Sequence, residues 1–275
     1  MINFDSLTLS ALIEELYPVL VGSRVHRIQQ PTKYIVLLTL RSQGKNRKLC
    51  ISAHPKYSYI ALLDYSDRKF VNPQTPPMFC MLLRKHMEGA KITDLKQPSN
   101  ERILEIFFES FNELGDKVQM TLACEIMGKY SNVILYITKS KLILGCAHNV
   151  GELMSSKREL AGSLPYVLPP VQNKLSILNI SNDQFKTMAT ALQLPIDIWM
   201  SQHFHNISLA LARELCVAAD INVAGKATTL TAMQNIDNLY KLTYNLLARR
   251  DFKPSISSDN ELYSLLAADQ NKKWI

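Results

Sequence analysis

The stretch Thr75-Pro-Pro-Met-Phe-Cys-Met-Leu-Leu-Arg-Lys-His86 decides how the rest of the chain is read. A proline pair opens it, apolar side chains follow, and an Arg-Lys-His cluster closes it. Proline fits a first helical turn because its missing N–H has no intrahelical partner there. Cations at the far end suit the negative pole of the helix dipole. The segment is therefore read as a helix over 75–88, with Met81 and Leu82 expected on its core side.

Around this helix the sequence is strand-like. Upstream, Leu9, Leu12, Ile13, Leu16 and Leu20 recur at helical spacing and predict a helix over Ser6–Leu20. Short β-branched and aromatic runs then predict strands near Arg24–Gln30, Tyr34–Arg41, Lys48–Ala53 and Tyr57–Leu62, separated by Pro31-Thr-Lys33, Gly44-Lys-Asn46 and Pro55-Lys56. Four more strands are expected near Ile103–Glu109, Lys117–Cys124, Val133–Thr138 and Leu142–Cys146. The expected first domain, 1–172, is β-rich with two helices, a sandwich closed by them.

Pro165-Tyr-Val-Leu-Pro-Pro170 reads as a stiff extended link. Beyond it Phe185–Leu192, Ile196–Phe204, Leu209–Ala219 and Thr228–Arg249 all alternate at helical spacing, which predicts an all-α second domain over 173–254. Residues 255–275 read as the start of a linker. The fold class is thus α+β followed by a helical domain.

The chain has 275 residues and a formal charge of +7. Residues 1–172 carry 21 Lys and Arg against 15 Asp and Glu; the remainder carries 10 against 9. The basic excess lies in the first domain, where it suits a polyanion or a solvated surface equally. The five cysteines are widely spaced, with no Cys-x-x-Cys, and read as buried reduced thiols of a cytoplasmic protein. The first residues lack a basic leader, and the apolar runs are too short to span a bilayer, so no membrane role is expected.

No metal and no cofactor is expected. His203-Phe-His205 puts its rings on different helix faces, and phosphate-cradling glycine motifs are absent. Three features carry RNA-binding potential beside a plain structural reading. Glu101-Arg102 opens a strand: the arginine either pairs with a surface acid or reaches a phosphate or base. Cys124-Glu-Ile-Met-Gly-Lys-Tyr-Ser-Asn132 places a cation, a ring and an amide in one turn, suited to looped RNA or to solvent. Phe204–Cys216 reads as two helices around a short turn, with Ser208 as N-cap and Asn206 where a helix-hairpin-helix has glycine. It is read either as that element or as a packing domain.

Together, Ser52-Ala-His-Pro55, Asn72–His86, Asn112-Glu-Leu-Gly-Asp116, Glu125–Asn132 and Pro165–Pro170 resemble the N-terminal region of the NFACT family. Its bacterial members include RqcH, also called fibronectin-binding protein A. The resemblance implies a first domain similar to the N-terminal domain of formamidopyrimidine-DNA glycosylases, a helix-hairpin-helix-like second domain, and a coiled coil beyond this chain. It implies a ribosome-associated quality-control factor that binds the large ribosomal subunit with peptidyl-tRNA and recruits alanyl-tRNA for alanine tailing, with no chemistry of its own. The family's Asp-Arg pair, implicated in tRNA engagement, matches Glu101-Arg102, and its Glu-Ile-Met motif matches Glu125-Ile126-Met127. The RNA-facing set expected is Arg84, Lys85, His86, Glu101, Arg102, Glu125, Ile126, Met127, Lys129 and Asn132. A glycosylase would need an N-terminal proline amine, and position 2 is Ile. The older family name implies fibronectin as an alternative partner and the cell surface as an alternative location.

Overall fold

The computed structural model describes residues 4–63, 70–98, 101–111, 114–151, 158–170, 172–192, 194–222, 233–250, 252–256 and 263–266. Asn100, Asn112, Glu113 and 228–232 lie outside them. The chain divides into two units, Leu12–Pro170 and Met1–Ala11 with Val171–Ile275. The division falls at the proline link, but the first turns of the N-terminal helix group with the later residues rather than with the sheet.

Helix α1 spans Ser6–Leu20. Nine strands follow: β1 Arg24–Thr32, β2 Ile35–Ser42, β3 Lys45–Ala53, β4 Ser58–Leu63, β5 Lys91–Lys96, β6 Ile103–Phe111, β7 Lys117–Glu125, β8 Asn132–Ile137 and β9 Ile143–Cys146. They form one antiparallel sheet in the order β4-β3-β2-β1-β5-β6-β7-β8-β9. This corrects the expected sandwich of two sheets. β1 and β5 pair only at Arg24 and Lys91, while β3 and β7 come into contact, so a single sheet folds over on itself. Both faces of β2 and β8 are consequently covered and nearly every residue in them is buried. The β2–β3 hairpin turns on Gln43 and Gly44, both at positive φ, which matches the right-handed strand twist.

Helix α2, Met78–Met87, connects β4 to β5. Pro77 is its N-cap residue, so both prolines precede the helix rather than occupy its first turn. Phe79, Cys80, Leu83 and Met87 form its buried stripe. Met81 is 52% exposed and Leu82 only half-buried, which corrects the expectation for both. Leu82 lies against Gly145, where a Cβ would come within 3.1 Å of its Cδ1. The helix also repairs the seam of the sheet. Where β5 leaves the edge of β1 uncovered, the Ile28 N–H donates to Glu88 Oε1 at 3.1 Å and its carbonyl accepts from Arg84 Nε at 2.9 Å. A buried strand edge without such partners would lose those hydrogen bonds outright.

The helical unit contains α3 Asn182–Thr190, α4 Ile196–His203, α5 Leu209–Ala218 and α6 Met233–Arg249. Ser181 starts α3 with a capping box and Ser208 caps α5. Leu7, Phe185, Trp199, Phe204, Leu215 and Leu239 share one core. Asn206 has φ +64°, the left-handed geometry its residue type tolerates, and accepts a hydrogen bond from Ser6 Oγ at 3.1 Å. The expected linker is partly folded: β10 Ser255–Ile256 pairs with β11 Tyr263–Ser264, and Leu265 enters this same core.

Candidate nucleic-acid interface

Antiparallel pairing of β6 with β7 sets Ile103 opposite Glu125, and the Ile126 N–H donates to the Arg102 carbonyl at 2.8 Å. Arg102 and the 125–132 loop, distant in sequence, are therefore neighbours. Glu101 is half-buried, and its carbonyl accepts from Gln97. Arg102 is exposed, and its guanidinium has no partner among the described residues. The surface ion pair that would have made it structural is not formed there.

The loop separates into an inner and an outer half. Glu125 is wholly buried at the end of β7. Arg158 grips it through both guanidinium nitrogens, Nη1 to Oε1 at 2.8 Å and Nη2 to Oε2, and Tyr166 donates its hydroxyl to Oε1 at 2.9 Å. Tyr166 stacks on Tyr136 at 4.7 Å, and Tyr136 donates to Glu105 at 2.5 Å. Burial, and then the adjoining carboxylates, push both phenols up, which keeps them protonated donors. This network fastens the 158–170 segment to the sheet. Ile126 is equally buried, and Asn132 spends its amide on the backbone: Nδ2 donates to the His148 carbonyl at 2.7 Å, and Oδ1 accepts from the His148 and Val133 N–H groups. Direct RNA contact by Glu125, Ile126 and Asn132 does not fit these positions; they hold the loop in shape.

The outer half is a 3-10 turn, Gly128–Tyr130. Gly128 has φ +61°, a backbone state that side chains resist, and Ser131 Oγ accepts from the Met127 N–H at 2.8 Å. Met127 is half-buried, whereas Lys129 and Tyr130 face solvent, with the ammonium 4.9 Å from the ring centre.

Arg84, Lys85 and His86 are not part of this site. Lys85 and His86 line a depression with Ser110, Phe111, Leu114, Val118 and Met120, near the β6–β7 turn. That is the opposite end of the hairpin from Glu125, roughly 20 Å or more along the strands. Arg84 is committed to Ile28, as above. Burial and Lys85 both hold the His86 imidazole below its usual value.

The site also gathers residues that sequence reasoning passed over. Tyr34 meets His54 edge-on at 4.9 Å and His148 at 5.1 Å, and His54 stacks on Tyr57 at 5.3 Å. A Cβ at position 128 would lie 3.5 Å from the Pro55 carbonyl oxygen, so the 3-10 turn rests beside this ring cluster. The available signal was the Lys-Tyr dipeptide, which occurs at 33, 56 and 129. Among the described residues no three metal-ligating side chains cluster, and no helix is long and apolar enough to cross a membrane. All five cysteines are free and buried, and burial pushes the Cys146 thiol up to about 11.

Comparison with known proteins identifies the family and the fold. The family model for NFACT N-terminal and middle domains matches residues 5–273. The Rqc2 homolog RqcH of Bacillus subtilis is 35% identical over 229 residues, covering 83% of this chain and 39% of that protein. The Rqc2 homolog RqcH of Streptococcus pneumoniae is 37% identical over 182 residues, covering 66% and 32%. The chain thus spans well under half the length of these relatives. Among solved structures, the N-terminal part of the fibronectin/fibrinogen-binding protein of Streptococcus suis superposes with TM-score 0.76 at 28% identity, covering 99% of this chain and 95% of that one. The N-terminal domain of fibronectin-binding protein PavA of Streptococcus pneumoniae gives 0.70 at 28% identity, covering 99% and 94%. This chain belongs to the NFACT family.

Proposed function

We propose that this chain is the RNA-engaging part of a ribosome-associated quality-control factor, acting in the cytoplasm on obstructed large ribosomal subunits with peptidyl-tRNA. In this reading it helps to recruit alanyl-tRNA for C-terminal alanine tailing and carries out no chemistry itself. In this reading the sheet unit is similar in fold to the N-terminal domain of formamidopyrimidine-DNA glycosylases, and α4, the Asn206 turn and α5 act as a helix-hairpin-helix-like element. The observation that carries the reading is Arg102: an exposed, uncommitted guanidinium beside the loop that presents Lys129 and Tyr130. A planar cation with five donors suits a phosphate or a base edge. Salt-dependent binding to purified tRNA tests it. Saturable binding at about 150 mM salt that weakens with Arg102→Ala supports the reading, and equal, salt-labile binding to any polyanion removes it.

The second reading is a fibronectin-binding surface protein, favoured by the names of the solved neighbours. Its test is fibronectin capture by the folded chain. Capture that survives added salt supports it, and capture abolished by salt marks a generic basic surface.

A further inference from the structure

Away from the 125–132 loop, α2 and the tip of the β6–β7 hairpin leave large apolar side chains in solvent. The depression that Lys85 and His86 share with the hairpin holds about 320 Å³. Met120, almost wholly buried, closes its bottom, and Phe111 and Leu114 stand on its rim at 66% and 88% exposure. Apolar surface continues along the helix. Met78, Met81 and Lys85, at i, i+3 and i+7, share the outward face of α2, and Met78 is 89% exposed. Contiguous exposed apolar groups of this kind mark a surface that is covered by something else.

The polar chemistry of the hollow has one sign. Lys85 and His86 line it, and among the described residues no carboxylate does. Glu109, next to Ser110 on β6, points to the other face of the sheet and pairs there with Lys117 at 2.7 Å. Glu88, at the end of α2, is spent on the Ile28 N–H. Because burial and Lys85 hold the His86 imidazole below its usual value, near neutral pH it offers an N–H beside the Lys85 ammonium. An ammonium and an N–H side by side suit a carboxylate.

We propose that this face docks an acidic, apolar peptide segment of a partner protein, with bulky side chains against Phe111, Leu114 and Met81 and a carboxylate on Lys85 and His86. The hollow is at the small end of ligand pockets. A small molecule filling it would leave Phe111 and Leu114 in water, whereas a chain crossing the rim covers both. Methionines at such a surface adapt to the side chains laid on them. A nucleic-acid backbone brings charge but no apolar group for the rim. The inference is independent of the RNA-engaging reading, since this end of the hairpin lies away from Arg102.

The test is selection of random short peptides displayed on phage against the 275-residue chain, followed by fluorescence anisotropy with a labelled recovered peptide. The expected result is enrichment of peptides that join Asp or Glu to Leu, Ile, Phe or Trp. Phe111→Ser and Leu114→Ser, exposed enough to leave the melting temperature unchanged, should each weaken the recovered peptide about tenfold. Lys85→Glu should turn the selection toward basic peptides. Recovery of peptides without acidic residues, or of none at all, would overturn the proposal. So would binding untouched by Phe111→Ser and Leu114→Ser, or displacement of the peptide by tRNA at about 150 mM salt, which would make this a nucleic-acid surface.

Discussion

The two ends of the β6–β7 hairpin carry basic residues of different kinds. At one end, Arg102 and Lys129 are exposed, and the 125–132 loop is held by buried hydrogen bonds in which Glu125 accepts from Arg158 and Asn132 donates to the His148 carbonyl. At the other, Lys85 and His86 border exposed Phe111 and Leu114, while the neighbouring Arg84 closes the β1 edge. Positive charge alone does not distinguish them. What does is whether a cation is left without a partner on a rigid frame. A free guanidinium can meet a phosphate without giving up a contact of the fold, whereas a cation serving the fold must first abandon that service.

The largest effect that can break this comparison is at the buried frame. Glu125→Ala should cost about 3–5 kcal/mol, because it leaves the Arg158 guanidinium without its buried carboxylate. Thermal melting measures it. An unchanged melting temperature would mean that the Arg158–Glu125 pair does not hold the frame. Next comes the pair on α2. Leu83→Ala should cost about 2–5 kcal/mol as a core cavity, while Met81→Asp stays within about 0.5 kcal/mol. Equal losses in denaturant melts would mean the helix face is assigned wrongly. A smaller effect is expected at the far end: Lys85→Gln should change tRNA affinity by less than about 0.5 kcal/mol, the range of a peripheral surface charge. A loss as large as that from Arg102→Ala would make the two ends equivalent.

Sequence patterns reached different depths in different places. α1 was legible to its end residues because one apolar stripe repeats without interruption. β5 was missed because a bulge between Ile92 and Asp94 shifts the register and breaks the two-residue period, leaving Ile92 and Leu95 as its buried pair. The single folded sheet was read as a sandwich because runs buried on both faces, as in β2 and β8, look the same in either architecture. In the site, the neighbourhood of Arg102 and the 125–132 loop followed from hairpin pairing once both strands were placed. The partner of Glu125 did not, since Arg158 lies 33 residues on and arrives through tertiary folding alone. Residue type suggested that Asn132 was a ligand contact; burial makes it a strut.

The central claim is that an uncommitted cation on a fixed frame, rather than net charge, marks the RNA-engaging surface. Equilibrium binding of purified tRNA at about 150 mM salt, with Arg102→Ala and Lys85→Gln compared against the unaltered chain, tests it most directly. The account predicts that Arg102→Ala weakens binding by about 1–3 kcal/mol with no change in melting temperature, and that Lys85→Gln leaves binding almost untouched. Equal losses from the two substitutions, or a loss at Arg102 that tracks unfolding, would contradict it.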